Sequence, residues 1–116
     1  MEYYTKESQL HTAILQFLKW NKIMAWKCNN AVSYIEGRRI INFQDENGKS
    51  IQGVPDIMGY LPDGKSLFIE VKRGKGKPTE YQKSFIENAL SNNCVSFFAW
   101  SVDDVQNKLK EKGYLK

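Results

Sequence analysis

Residues 54–72, VPDIMGYLPDGKSLFIEVK, constrain the chain most, because two short apolar runs flank a turn with few available conformations. Leu61-Pro62-Asp63-Gly64-Lys65 suits a three-residue hairpin loop. Proline fits the second position of a type I turn, and Gly64 supplies the left-handed residue that follows. Leu61 and Lys65 then close the hairpin, which sets Met58 opposite Phe68 and Asp56 opposite Glu70. Side chains alternate along a strand, so Asp56, Met58, Tyr60, Phe68, Glu70 and Lys72 share one face. Ile57, Leu61, Leu67, Ile69 and Val71 form a continuous apolar surface on the other.

This register raises an electrostatic problem. Opposed residues have Cβ atoms about 5 Å apart, and like charges directly opposite destabilise a sheet. A divalent cation between Asp56 and Glu70 removes the conflict. Lys72 projects to the same side and reaches the same ligand. The competing reading is an ordinary Glu70–Lys72 ion pair on a solvated strand face. With two cysteines and one histidine there is no three- or four-ligand thiolate or imidazole zinc site. A metal therefore has to sit on carboxylates, which favours magnesium or manganese.

The 116 residues are enough for one domain, 1–116, with a single core. A composition of 41% hydrophobic and 26% charged residues is that of a soluble globular protein. No apolar run is long enough for a membrane span, and the N-terminus lacks the layout of a signal peptide, so a cytoplasmic location is expected. Cys28 and Cys94 lie in apolar stretches and read as small core residues rather than a disulfide. The net charge of +4 and a pI near 9.0 agree with a polyanionic partner without demanding one.

Along the chain, ESQLHTAILQFLKW (7–20) has Leu10, Ile14, Phe17 and Leu18 at helical spacing, with Thr5 as the expected N-cap. IMAWKC is a strand, NNAVSYIEGRRIINF a hairpin turning at Glu36-Gly37, and QDENGKSIQG a polar loop. After the central hairpin, RGKGKP is a basic loop and TEYQKSFIENAL a second helix with Phe85, Ile86, Ala89 and Leu90 as its stripe. CVSFFAW is a strand, and SVDDVQNKLKEKG a last helix capped by Ser101 and Gly113. The order α-β-β-β-β-β-α-β-α predicts an α/β fold with a central mixed β-sheet flanked by helices. Trp20, Trp26 and Trp100 lie in apolar runs and are expected in the core. Thr79-Glu80-Tyr81-Gln82 reads as a capping box, with the Gln82 side chain returning to the cap's N–H.

Pro55-Asp56, then thirteen residues, then Glu70-Val71-Lys72 resembles the PD-(D/E)XK nuclease motif. The wider pattern, GVPD followed by IEVKRGKGKPTEYQKSFI, is similar to the VRR-NUC branch, free-standing members included. There, G-x-P-D, E-V-K and a helical Gln recur, the last matching Gln82 with Phe85 after it. The resemblance covers essentially the whole chain. It implies a restriction-endonuclease-like core and Mg2+-dependent hydrolysis of DNA, with Mn2+ as a substitute. Asp56, Glu70 and the Val71 carbonyl would bind metal, and Lys72 would position or help deprotonate the attacking water. Glu7 matches the acidic residue many members carry on the first helix. Its other role is a favourable charge in a first helical turn. His11, one turn on, is left outside the catalytic set as a histidine bordering the core. By the same resemblance Gln82 belongs to the active site. Arg73, Lys75 and Lys77 are candidate DNA contacts, with Arg38 and Arg39 as a second group. A homodimer acting on branched, Holliday-junction-like DNA is expected, since one small domain offers little separate DNA-binding surface. The alternative is a non-catalytic nucleic-acid-binding module that retains the nuclease fold.

Overall fold

The hairpin at 61–65 closes as its sequence predicts. The Leu61 N–H donates to the Lys65 carbonyl at 2.9 Å and the Gly64 N–H to the Leu61 carbonyl at 2.8 Å. Gly64 has a φ of +91°, a region open to glycine at little cost. The computed structural model describes residues 6–28, 32–41 and 43–116. Its elements are α1 (Glu7–Trp20), β1 (Met24–Lys27), β2 (Val32–Ile35), β3 (Arg38–Ile41), β4 (Ile57–Tyr60), β5 (Ser66–Val71), α2 (Glu80–Ser91), β6 (Val95–Ala99) and α3 (Val102–Glu111). That is the expected order.

Four strands form one sheet in the order β1-β4-β5-β6, and β2-β3 form a separate hairpin. β4 pairs antiparallel with β5 in the register set by the loop, Ile57 with Ile69 and Met58 with Phe68. β1 pairs antiparallel with β4, Met24 facing Tyr60 and Trp26 facing Met58. β5 and β6 are parallel, and α2 between them supplies the crossover that parallel strands need. The sheet is thus mixed.

One face of the sheet, carrying Ile57, Leu67, Ile69, Val71, Val95, Phe97 and Ala99, joins Leu10, Ile14 and Leu18 of α1 and Val105 and Leu109 of α3 in a single buried cluster. α2 packs against the β5–β6 half through Ile86 and Ala89, with the Phe85 ring 5.2 Å from Phe68 in an edge-on contact. Among the described residues no helix is long and apolar enough to cross a membrane.

Several expectations need correction. The N-cap of α1 is Lys6, whose N–H donates to the Gln9 side chain at 3.3 Å; Thr5 lies outside the described residues. The C-cap of α3 is Lys112, and Gly113 follows in the left-handed region at φ +87°. Trp20, Trp26 and Trp100 are 80%, 45% and 41% exposed, and Leu90 is also exposed at 48%. Trp20 ends α1 two positions beyond Leu18, which turns it off the buried stripe. Trp26 lies on the edge strand β1, opposite Met58 rather than on the core face. An apolar run places residues in an element but does not say which face is covered. Cys28 is buried, Cys94 is half-buried, and both thiols are free.

Candidate active site

The candidate residues meet at the end of the sheet where β4 begins and β5 finishes. Asp56 stands one residue before β4. Its carbonyl accepts the Cys28 N–H at 2.6 Å, which ties it to the end of β1. Its side-chain Oδ2 accepts the Val71 N–H at 2.9 Å. That bond spans the hairpin and fixes the carboxylate beside Glu70.

Glu70 is 3% exposed, deep for a carboxyl group. Burial first, and then the charge of Asp56, push its pKa up to about 9, and the nearby Lys72 ammonium opposes the rise. Burial also works against the Asp56 charge. Its contacts with His11 and Glu70 and the Val71 N–H outweigh burial and hold its pKa below the ordinary value. Without a cation the pair therefore keeps Asp56 ionised and Glu70 protonated.

Glu7 and His11 are four residues apart on α1 and so point from one face of the helix. His11 is only 6% exposed, and its Nε2 lies 3.6 Å from Asp56 Oδ2. Glu7, His11 and Asp56 each present one ligand atom, all within 4.8 Å of one another. Glu7 also adds to the negative field at Glu70.

Gln82 makes the capping contact its sequence position offered and also reaches Glu70. Its Oε1 accepts the Thr79 N–H at 3.0 Å, completing the capping box with the 3.2 Å bond from the Gln82 N–H to Thr79 Oγ1. Its Nε2 donates to Glu70 Oε1 at 3.1 Å. Gly53 explains how α2 comes close enough. At φ +79° its backbone packs against the Tyr81–Gln82 peptide, where a Cβ would run into the Tyr81 carbonyl. The GVPD segment and Gln82 are therefore packed against each other as well as near the same carboxylates.

Lys72 is half-buried and anchored by its N–H, which donates to the Ala99 carbonyl at 2.9 Å. Arg73, Lys75 and Lys77 follow it on an exposed loop, and Arg38 is exposed on β3. The side chain of Arg39 lies outside the described residues. His11 is the residue that sequence reasoning set aside. Its spacing from Glu7 was visible in the sequence. What was not visible is that the first turns of α1 lie against Asp56.

The donor set fits a divalent cation. Glu70 Oε2 and both ring nitrogens of His11 are buried with no hydrogen-bond partner among the described residues. Unpaired polar atoms of this kind are costly in a folded interior. A cation would satisfy Glu70 Oε2 and one ring nitrogen of His11, and would neutralise the converging carboxylates.

An acidic cluster and a lysine at one end of a mixed sheet flanked by helices define a nuclease-type α/β domain. Comparison with known proteins agrees: the VRR-NUC domain family matches residues 2–103. A solved structure described as a VRR_NUC domain matches with a TM-score of 0.62 and 25% identity, covering 96% of this chain and 100% of that one. No curated protein matches the chain. The chain belongs to the VRR-NUC family, and its function is of the nuclease type.

Proposed function

We propose that residues 1–116 act as one domain, a metal-dependent DNA endonuclease that uses Mg2+, with Mn2+ as a substitute. The observation that carries this reading is the convergence of Asp56 and Glu70 with a buried, unpartnered Glu70 Oε2. Asp56, Glu70, the Val71 carbonyl and Glu7 hold the cation. When bound, it supplies charge stabilisation at the phosphate and activation of the attacking water.

The chain's own groups do the rest. The Val71 N–H fixes the Asp56 carboxylate through Oδ2, and Gln82 Nε2 holds Glu70 Oε1, which leaves Glu70 Oε2 for the cation. Lys72 places a positive charge beside Glu70, where it orients the water and offsets charge building on the phosphate. The water oxygen bonds to phosphorus as one ester P–O bond breaks, and a proton released by the water is taken up by the departing sugar oxygen. Arg73, Lys75, Lys77, Arg38 and Arg39 contact the DNA backbone, which positions the strand without reading its sequence.

The preferred substrate is branched, Holliday-junction-like DNA, cut by a homodimer in the cytoplasm. Support for pairing comes from the edge strand β1, where Met24 and Trp26 are 56% and 45% exposed beside Tyr60, itself 54% exposed. Exposed apolar residues grouped in this way mark interaction surfaces, and closed two-fold pairing is the commonest assembly of soluble proteins. The test is a cleavage panel of flap, fork, four-way junction and linear duplex, with light scattering across a concentration series. Paired incisions in the junction by a dimer are expected. A monomer that prefers linear duplex overturns the branched-DNA reading. Binding without cleavage under any divalent metal favours the non-catalytic alternative.

A further inference from the structure

His11 is the chain's single histidine, and its environment is wrong for a histidine that merely fills space. It is 6% exposed, and among the described residues neither ring nitrogen has a hydrogen-bond partner. A buried imidazole normally donates from one nitrogen and accepts at the other. Here Nε2 instead faces Asp56 Oδ2 at 3.6 Å, outside hydrogen-bond range, and shares a 4.8 Å cluster with Asp56 and Glu7. Ligand bonds of about 2.1 Å put two atoms on one ion between about 3 and 4.2 Å apart. The Nε2–Oδ2 separation already lies in that interval, and the widest separation in the cluster needs only a small side-chain adjustment. Glu7 and His11 lie one turn apart on the same face of a fourteen-residue helix, so both side chains can reach one ion.

We infer that His11 Nε2 is a direct ligand of the catalytic cation, which makes this a mixed nitrogen–oxygen site that binds Mn2+ more tightly than Mg2+. The inference rests on the reading of Asp56 and Glu70 as metal ligands and adds a specificity to it. Mg2+ prefers an all-oxygen shell, whereas imidazole suits first-row transition ions. Mg2+ then supports cleavage when present in excess, through the carboxylates.

Because the chain has one histidine, an untagged preparation gives a clear spectroscopic test. Pulsed EPR of the Mn2+-loaded protein is expected to show nitrogen modulation from a directly bound imidazole, and His11→Gln is expected to lose it. In calorimetric titrations His11→Gln should weaken Mn2+ binding by about tenfold or more while changing Mg2+ binding much less. Mn2+ bound at the site without imidazole coupling in the wild-type protein overturns the inference and leaves the carboxylate site standing. Equal losses for both metals overturn the selectivity. Failure of the wild-type protein to bind Mn2+ at all overturns both this inference and the reading of the carboxylates.

Discussion

Gln82 Nε2 donates to Glu70 Oε1 at 3.1 Å while Gln82 Oε1 accepts the Thr79 N–H at 3.0 Å. One side chain therefore joins the start of α2 to the most buried carboxyl group of the candidate site. The two functions can be separated. Thr79→Ala removes part of the capping box and should cost about 1 kcal/mol with cleavage nearly unchanged. Gln82→Ala removes the cap and also leaves Glu70 without its donor, so it should cost about 2 kcal/mol and most of the activity. Chemical melts and cleavage rates for the two variants check this; equal cleavage in both would confine Gln82 to the cap.

Glu70 makes the metal-free protein sensitive to pH. Its pKa is raised from the ordinary 4.5 to about 9. A group raised in this way contributes stability in full below its unfolded value and loses it as pH climbs through the folded one. The stability of the protein in chelator should therefore fall across that window, by at most about 1.4 kcal/mol per pH unit. Asp56, shifted downward, acts with the opposite sign and only at lower pH. Urea melts at several pH values check the slope, and Glu70→Gln should flatten it. Metal binding at neutral pH should release about one proton, readable by calorimetry in buffers of different ionisation enthalpy.

Lys72 should act on water and phosphate rather than on the cation. Lys72→Ala is expected to lower cleavage by at least about a hundredfold. Its calorimetric Mn2+ affinity should stay close to that of the wild-type protein. A variant that cuts normally would reduce Lys72 to a charge that merely offsets the buried Glu70.

Gly53 should matter more than Gly64, although both have positive φ. Nothing lies within 4 Å of a Cβ at Gly64, so Gly64→Ala should cost about 1 kcal/mol, from backbone conformation alone, and leave cleavage intact. Gly53→Ala should cost about 2 kcal/mol or more, since its Cβ meets the Tyr81–Gln82 peptide. It should also reduce cleavage, by shifting Gln82 away from Glu70. Thermal melts with parallel cleavage assays compare the two.

Much of the fold was legible because its central hairpin is locally specified. The Pro62–Gly64 turn alone sets the pairing of Ile57 with Ile69, and alternation then assigns the buried face. The carboxylates of Asp56 and Glu70 follow from that register. His11 was not legible in the same way, because its burial depends on how α1 docks against Asp56 just before β4, a long-range packing choice. The exposure of Trp20, Trp26 and Trp100 escaped for a related reason: hydrophobicity locates an element, but its neighbours decide which face is covered. Gln82 looked like a choice between two roles, yet its amide has a donor and an acceptor and uses both.

The central claim is that Asp56 and Glu70 together hold the cation that cleaves DNA. Nicking of supercoiled plasmid by the wild-type protein, Asp56→Asn and Glu70→Gln tests it most directly, in Mg2+ and in chelator, with circular dichroism to verify folding. The wild-type protein should nick in Mg2+ and stop in chelator, while both variants stay folded and fall to background. A folded variant that nicks at the wild-type rate, or wild-type nicking that survives chelation, would contradict it.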